Sequence, residues 1–321
     1  MKEKLDAYDK KILFELDIDS RTSASKIAKK LKIPKETVNY RIKRLKKYGW
    51  INRLYTIFNA SLFGYSYYRV FLKFHKITAS TETEIIDYIT NDPTCTNLRI
   101  MEGKFDLVFL TIQKNSAELK GFLQCFFNLF GMHVEEKNIQ MMMKTHKFNQ
   151  KFLYKGKNIK KTCNHMDTKH YILDKIDLGI MKAISTDART KLSDISQVLQ
   201  KDSRLIEYHI KKMERLGIIV TYTTDLNLIK LRRERIQIDI ALNDPIVIPQ
   251  MINFFDRTNS CLFIHEMLGK YDLSVEIYVE NDEILRDLLE KFKEQFLEKY
   301  AYYDLSHVYK EFVINWSPFH T

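Results

Sequence analysis

Residues 35–47 read KETVNYRIKRLKK. Val38, Ile42 and Leu45 recur at i, i+4 and i+7, the spacing of one buried helical stripe. The other face then carries Lys35, Glu36, Thr37, Asn39, Tyr40, Arg41, Lys43 and Arg44, followed by Lys46 and Lys47. Asn pairs with adenine edges, Arg with guanine edges, and Lys and Arg neutralise phosphates. The chemistry on offer is recognition of a polyanion such as double-stranded DNA. Lys26, Lys29 and Lys30 on the preceding segment add phosphate anchors. The charge balance agrees. The net charge is +11, and residues 1–168 hold 31 Lys/Arg against 17 Asp/Glu, while residues 169–321 hold 52 − 31 = 21 against 41 − 17 = 24. The positive field belongs to the first half.

Catalytic motifs are not found: no Walker loop, GxGxxG, HExxH or GxSxG occurs. His75, His133, His146 and His265 have no evident acid–base partner in the sequence. Met141 to Met143 fall in an expected strand and read as packing. Cys163, His165 and His170 lie near one another but offer too few fixed ligands for a metal site. We expect no catalytic residue, no metal and no cofactor. Four scattered cysteines without a CxxC pair read as reduced thiols. The start lacks an apolar signal region, and no run of about 20 apolar residues occurs. A cytoplasmic chain with no membrane partner is expected.

The elements that must hold residues 35–47 are legible around them. Tyr8, Ile12, Leu13 and Leu16 mark a first helix; Ile27, Ala28 and Leu31 mark a second, with Ser23 or Ser25 as its cap. Pro34 suits the first turn of the third helix, because its missing N–H is unneeded there. Gly49 can end that helix in the left-handed conformation, and Ile51 to Asn59 reads as extended. Helix, helix, turn, helix, strand is the order of a winged helix-turn-helix, whose third helix enters the major groove.

The pattern occurs twice. Asp9-Lys-Lys-Ile-Leu aligns with Asp177-Leu-Gly-Ile-Met at 177 − 9 = 168, and Arg21-Thr22, Ser25, Ile27, Tyr40, Ile42-Lys43, Gly49 and Ile51 recur at that offset. Further on, Met101 to Leu107 aligns with Met267 to Leu273 at 267 − 101 = 166. Each copy is long enough to be a complete module. In the second third helix Ile206, Ile210 and Met213 form the inward stripe. Its expected DNA-facing residues are Arg204, Tyr208, His209, Lys211 and Lys212, beside Ser203, Glu207 and Arg215. This copy is less basic, so weaker phosphate attraction is expected.

After each winged helix the pattern reads strand, helix, two strands, helix, strand. In the first copy these are Tyr67–His75, Glu82–Ile89, Cys95–Glu102, Asp106–Gln113, Glu118–Phe130 and Val134–Lys144. In the second they are Arg235–Leu242, Val247–Asp256, Leu262–Met267, Asp272–Val279, Glu283–Glu298 and Tyr302–Ile314. The fold class is α+β, a tandem repeat of winged helix-turn-helix and ferredoxin-like βαββαβ domain. We divide the chain into 1–60 and 61–150, a Lys-rich linker 151–171 read as an exposed tether, then 172–230 and 231–321.

A winged helix followed by βαββαβ, with turns Gly103-Lys104-Phe105-Asp106 and Gly269-Lys270-Tyr271-Asp272, resembles the Lrp/AsnC family (the feast/famine regulators). The opening Leu5-Asp6-x-x-Asp9-x-x-Ile12-Leu13 is similar to that family's first helix. The fusion departs from it, since typical members carry one copy. The resemblance implies a DNA-binding transcription regulator whose βαββαβ domains pair and often bind an amino acid near this turn. By that match Gly103, Asp106, Gly269 and Asp272 are the candidate effector residues; the plain alternative is a turn glycine with an Asp capping its backbone. Intramolecular pairing of the two copies, and homo-oligomers of such chains, are expected. Two alternatives remain open. Siroheme decarboxylases share the architecture, some as fusions, but Arg53–Arg69 and Tyr222–Arg235 here contain no His. A non-specific architectural DNA binder would show the same basic helix.

Overall fold

The computed structural model describes residues 4–154, 161–165, 171–313 and 317. The first helix, α1 (Ala7–Ile18), starts at Asp6, whose carboxylate accepts from Asp9 N at 2.8 Å while Asp9 accepts from Asp6 N at 3.1 Å. This reciprocal box satisfies two donors that a helix start leaves orphaned. Ser23, not Ser25, caps α2 (Ala24–Leu31). Pro34 stands at the cap position of α3 (Lys35–Lys47), one residue before the expected first turn. Ile12, Leu13, Leu16, Ile27, Val38, Ile42 and Leu45 form the buried core of this head. The second copy repeats it in α6 (Lys175–Thr186), α7 (Leu192–Leu199) and α8 (Ser203–Arg215), with Asp174 and Asp177 forming the same box.

The two heads are joined. The strand after each third helix, β1 (Ile51–Phe58) and β7 (Ile219–Leu226), pairs antiparallel with its counterpart. The pair forms a two-stranded ribbon with one strand from each copy. Each head's first helix also docks on the other copy's strand. Ser20 N donates to Tyr222 O, and Ala188 N to Leu54 O. Arg21 reaches the carbonyl of Ala188 at 2.5 Å, and Arg189 those of Ser20 and Thr22 at 2.7 and 2.9 Å. The contacts come in reciprocal pairs, as a pseudo-two-fold demands.

The βαββαβ order is as read. The first copy gives β2 (Ser66–Phe74), α4 (Ala79–Asn91), β3 (Cys95–Glu102), β4 (Leu107–Gln113), α5 (Ser116–Phe130) and β5 (Val134–Lys147). The second gives α9 (Leu228–Leu231), β8 (Glu234–Leu242), α10 (Ile248–Arg257), β9 (Cys261–Leu268), β10 (Leu273–Val279), α11 (Asp282–Phe296) and β11 (Tyr300–Val313). Within each copy the strands lie in the order last, first, third, second. Between copies, β11 pairs with β3 and β5 with β9. Because β2 also pairs with β5, the eight strands close into a ring. Closure leaves neither half-sheet with a free edge there. Apolar clusters pack the helices against the outside of each half.

The segment 151–171 departs from the tether reading. Phe152 packs on the first head, where Leu153 is buried. Lys151 reaches Asp256 Oδ1 at 2.9 Å. Strand β6 (Lys161–His165) extends the ring by pairing with β5 at residues 144–147. The Lys content that suggested solvation hid a strand on which period-2 alternation is weak. Of the Cys163, His165 and His170 grouping, His170 lies outside the described residues. Among the described residues no helix is long and apolar enough to cross a membrane.

Gly103 has φ +153°, and a Cβ there would lie 2.5 Å from Leu305 O and 2.6 Å from Ser306 Oγ of the other copy. Gly103→Ala is expected to destabilise the chain by about 2–4 kcal/mol through backbone overlap at the seam. Chemical denaturation with an unchanged m-value checks this.

Candidate nucleic-acid interface

The third helix of the first head shows Lys35, Asn39, Tyr40, Lys43, Lys46 and Lys47 on its exposed face, with Thr37 half-buried. Tyr40 is 65% exposed. Lys26 and Lys29 of α2 are exposed beside it. Lys30 instead meets Glu15 at 2.7 Å, and Lys46 lies 3.8 Å from Asp187 of the second head.

Arg41 and Arg44 correct the sequence reading. Both turn inward onto α1. Arg41 Nη1 lies 2.6 Å from Asp6 Oδ2 and 2.8 Å from Asp9 Oδ1, and Arg44 Nη2 lies 2.5 Å from Asp9 Oδ2. Asp9 is fully buried. Burial opposes the charge on Arg41, but hydrogen bonds and attraction from Asp6 and Asp9 outweigh it, leaving its pKa above the usual value. A buried carboxylate needs compensation, and the two guanidiniums supply it. They position α3 against α1, leaving the outer face to the residues around them. Their position on the helical wheel, next to the buried stripe, was the available signal.

The second head keeps the device with different residues. At the offset of 168, Arg41 becomes His209 and Arg44 becomes Lys212. His209 is buried, with Nδ1 2.7 Å from Asp177 Oδ1, and Lys212 Nζ lies 3.3 Å from Asp177 Oδ2. His209 therefore turns inward, off the exposed face, and Lys212 is partly engaged. Arg204, Tyr208 and Lys211 are exposed, and Lys211 pairs with Glu207 at 2.5 Å. Glu207 and Glu214 interrupt the face, so this head presents a weaker positive surface.

The effector candidates fall at strand ends. Asp106 accepts from Phe74 N at 2.8 Å and from Lys73 Nζ at 2.6 Å; Asp272 accepts from Leu242 N at 2.7 Å. Both aspartates cap the end of the first strand of their copy. The two turns meet: Lys104 lies 2.6 Å and Lys270 3.6 Å from Glu136. Phe71, Phe105 and Tyr271 pack between them. A cavity of about 1120 Å³ lies elsewhere, bordered by Tyr154, Asn253, Phe254 and Lys291.

The ring encloses polar side chains. Arg69, Arg99, Gln237, His265 and Glu276 are all buried there. Burial, joined by the charge of Arg69, pushes His265 down to about 4. Glu276 lies well below the carboxylate range although burial works against it, because Arg99, His265 and Arg69 hold its charge. The cavities inside are small, about 20 Å³ each.

The family described as winged helix-turn-helix DNA-binding matches residues 5–52 and 173–220, one match per head. An uncharacterized HTH-type transcriptional regulator of Pyrococcus abyssi is 31% identical over 124 residues, covering 37% of this chain and 80% of the relative. The chain belongs to the Lrp/AsnC family of HTH-type transcriptional regulators. Another member, HTH-type transcriptional regulator FL11 of Pyrococcus horikoshii, is 29% identical over 147 residues, 46% of this chain and 95% of its own length. One copy here thus corresponds to a whole Lrp/AsnC relative. Over the full tandem the fold is similar to that of the siroheme decarboxylase NirDL, with a TM-score of 0.64 and 12% identity over 95% of this chain and 92% of that one. At that identity the likeness shows the fold alone.

Asp9→Ala leaves Arg41 with Asp6 and removes the buried carboxylate that both arginines reach. We expect a loss of about 2–4 kcal/mol, read as a lower Tm in thermal melts. Tyr40→Ala, on the exposed face, leaves Tm within about 1 °C.

Proposed function

We propose that the chain is a sequence-specific DNA-binding transcription regulator that reads duplex DNA chiefly through α3 of the first head. The observation that carries this reading is the exposed row Lys35, Asn39, Tyr40, Lys43 and Lys47 on a helix whose own arginines are committed inward. Asn39 is the residue suited to a base edge, and the lysines suit flanking phosphates. Lys26 and Lys29 extend the phosphate track. The second head contributes Arg204, Tyr208 and Lys211 and adds less affinity. The cross-paired ribbon supports a fixed spacing of the two heads. A small effector, in this reading, acts at the junction of the two Gly–Asp turns, where Lys104, Lys270 and Glu136 converge. Gly103, Gly269, Asp106 and Asp272 shape that junction, and the aspartates hold its strands in place.

The test is selection of bound duplexes from a random library, followed by titration at several salt concentrations. A defined motif is expected, with affinity falling steeply as salt rises. Lys43→Ala and Lys47→Ala each reduce the salt slope by about 1 without changing the motif. Asn39→Ala costs about 1–3 kcal/mol and relaxes preference at one base position. Salt-sensitive binding without any enriched motif overturns sequence specificity and leaves an architectural binder.

A further inference from the structure

The two halves of the ring have the same fold but opposite interior charge. Their β-strands match at an offset of 168 for β2 and β8 and 166 for the later strands, as the paired caps show: 242 − 74 = 168 and 272 − 106 = 166. In the first half the interior ionic groups that face the second half are Arg69 and Arg99; Lys147, also buried, is held by Asp17 of its own copy. The carboxylates they meet, Glu276 and Glu311, come from the second half. Where the second half has Glu276, the first has Leu110; where it has Glu311, the first has Thr145. Arg99 itself is matched by His265, and Arg69 by Gln237.

The contacts to Glu276 cross the lumen, while Glu311 is met along the β3–β11 seam and from its own half. Arg69 Nη2 lies 2.8 Å from Glu276 Oε1, and its Nη1 donates to Ser274 at 2.7 Å. Arg99 grips Glu276 with both terminal nitrogens, at 2.5 and 2.9 Å, and its Nε lies 3.0 Å from Glu311. Arg235 Nη1 meets Glu311 at 2.5 Å, and Asn97 donates to it at 2.9 Å. Each of these arginines and Glu276 is less than a tenth exposed.

We infer that this interior is a pairing code: the open face of a first half closes a ring only with a partner carrying carboxylates at the positions of Glu276 and Glu311, which in this protein is a second half. Two first halves would enclose four arginines against Leu110 and Thr145. Two second halves would enclose four glutamates and two copies of Asp239 against only two copies of Arg235. A buried charge left unpaired costs far more than a pair contributes, so both homotypic rings are strongly disfavoured. The code excludes exchange with any single-copy relative lacking those carboxylates. It also keeps every ring composed of one strongly basic head and one weakly basic head.

Three full-length variants test this. Glu276→Leu installs the first-half residue, strands Arg69 and leaves Arg99 with Glu311 alone; its Tm is expected to fall by about 10 °C or more. Arg69→Leu/Arg99→Leu strands Glu276 and falls similarly. The combined Arg69→Leu/Arg99→Leu/Glu276→Leu chain removes both signs together and recovers most of the loss, as apolar replacement of a whole buried pair does. Co-expressed under two tags, the two deficient chains are expected to exchange halves. Each then finds its complement, and a two-chain complex of restored Tm co-purifies. The inference is overturned if Glu276→Leu melts within about 2 °C of the wild type, if the triple variant is no more stable than Glu276→Leu, or if the two tags do not co-purify.

Discussion

The outer edges of each half-sheet are closed by the other half, and the rest of the molecule depends on that closure. A four-stranded βαββαβ sheet leaves two outer strands with unpaired backbone groups. Here β3 and β5 of the first copy are completed by β11 and β9 of the second. The helices stay outside, apolar clusters form between them and the strands, and a polar lumen forms within. The same cross-pairing recurs in the heads, where β1 needs β7. Neither copy is therefore a self-sufficient unit of backbone hydrogen bonding, although each has the length of a whole relative.

Helices and strands were legible because hydrophobic period and caps agree locally. Val38, Ile42 and Leu45 fall on one face, and Asp6 with Asp9 closes a reciprocal box. What the sequence did not carry was pairing between distant segments. Nothing in Ile51–Phe58 announces that its partner is Ile219–Leu226 rather than a strand of its own wing. Strand β6 was missed because a Lys-rich run reads as solvated when its partner, β5, is unknown. Repetition showed that pairing between copies was available, but not through which strands.

The site was legible in its placement more than in its details. The exposed lysines of α3, with Asn39 and Tyr40, stand where helical periodicity put them. Arg41 and Arg44 do not, because a side chain flanking the buried stripe reaches whichever charge is nearest, and Asp9 lies 32 and 35 residues away in sequence. The repeat contained the missing clue. Positions that change from Arg41 and Arg44 to His209 and Lys212 while Asp9 and Asp177 stay the same belong to a local charge pair rather than to a common ligand. Gly103 and Gly269 read as turn residues, and their positive φ agrees; the approach of Leu305 and Gln140 from the opposite copy is a second reason against a larger side chain, and the sequence did not show it.

The ribbon made by β1 and β7 has a mechanical consequence. Reciprocal anchors from Arg21 and Arg189 clamp it on both sides, so the two heads are joined as one yoke instead of two beads on a string. A tethered pair can settle on straight duplex by adjusting its separation. A yoke cannot, and under the proposed function a duplex held by both heads must come to it. On that proposal, helical phase and curvature of the duplex enter the binding energy alongside the bases, and stiff or wrongly phased sequences bind less well even where no side chain touches them.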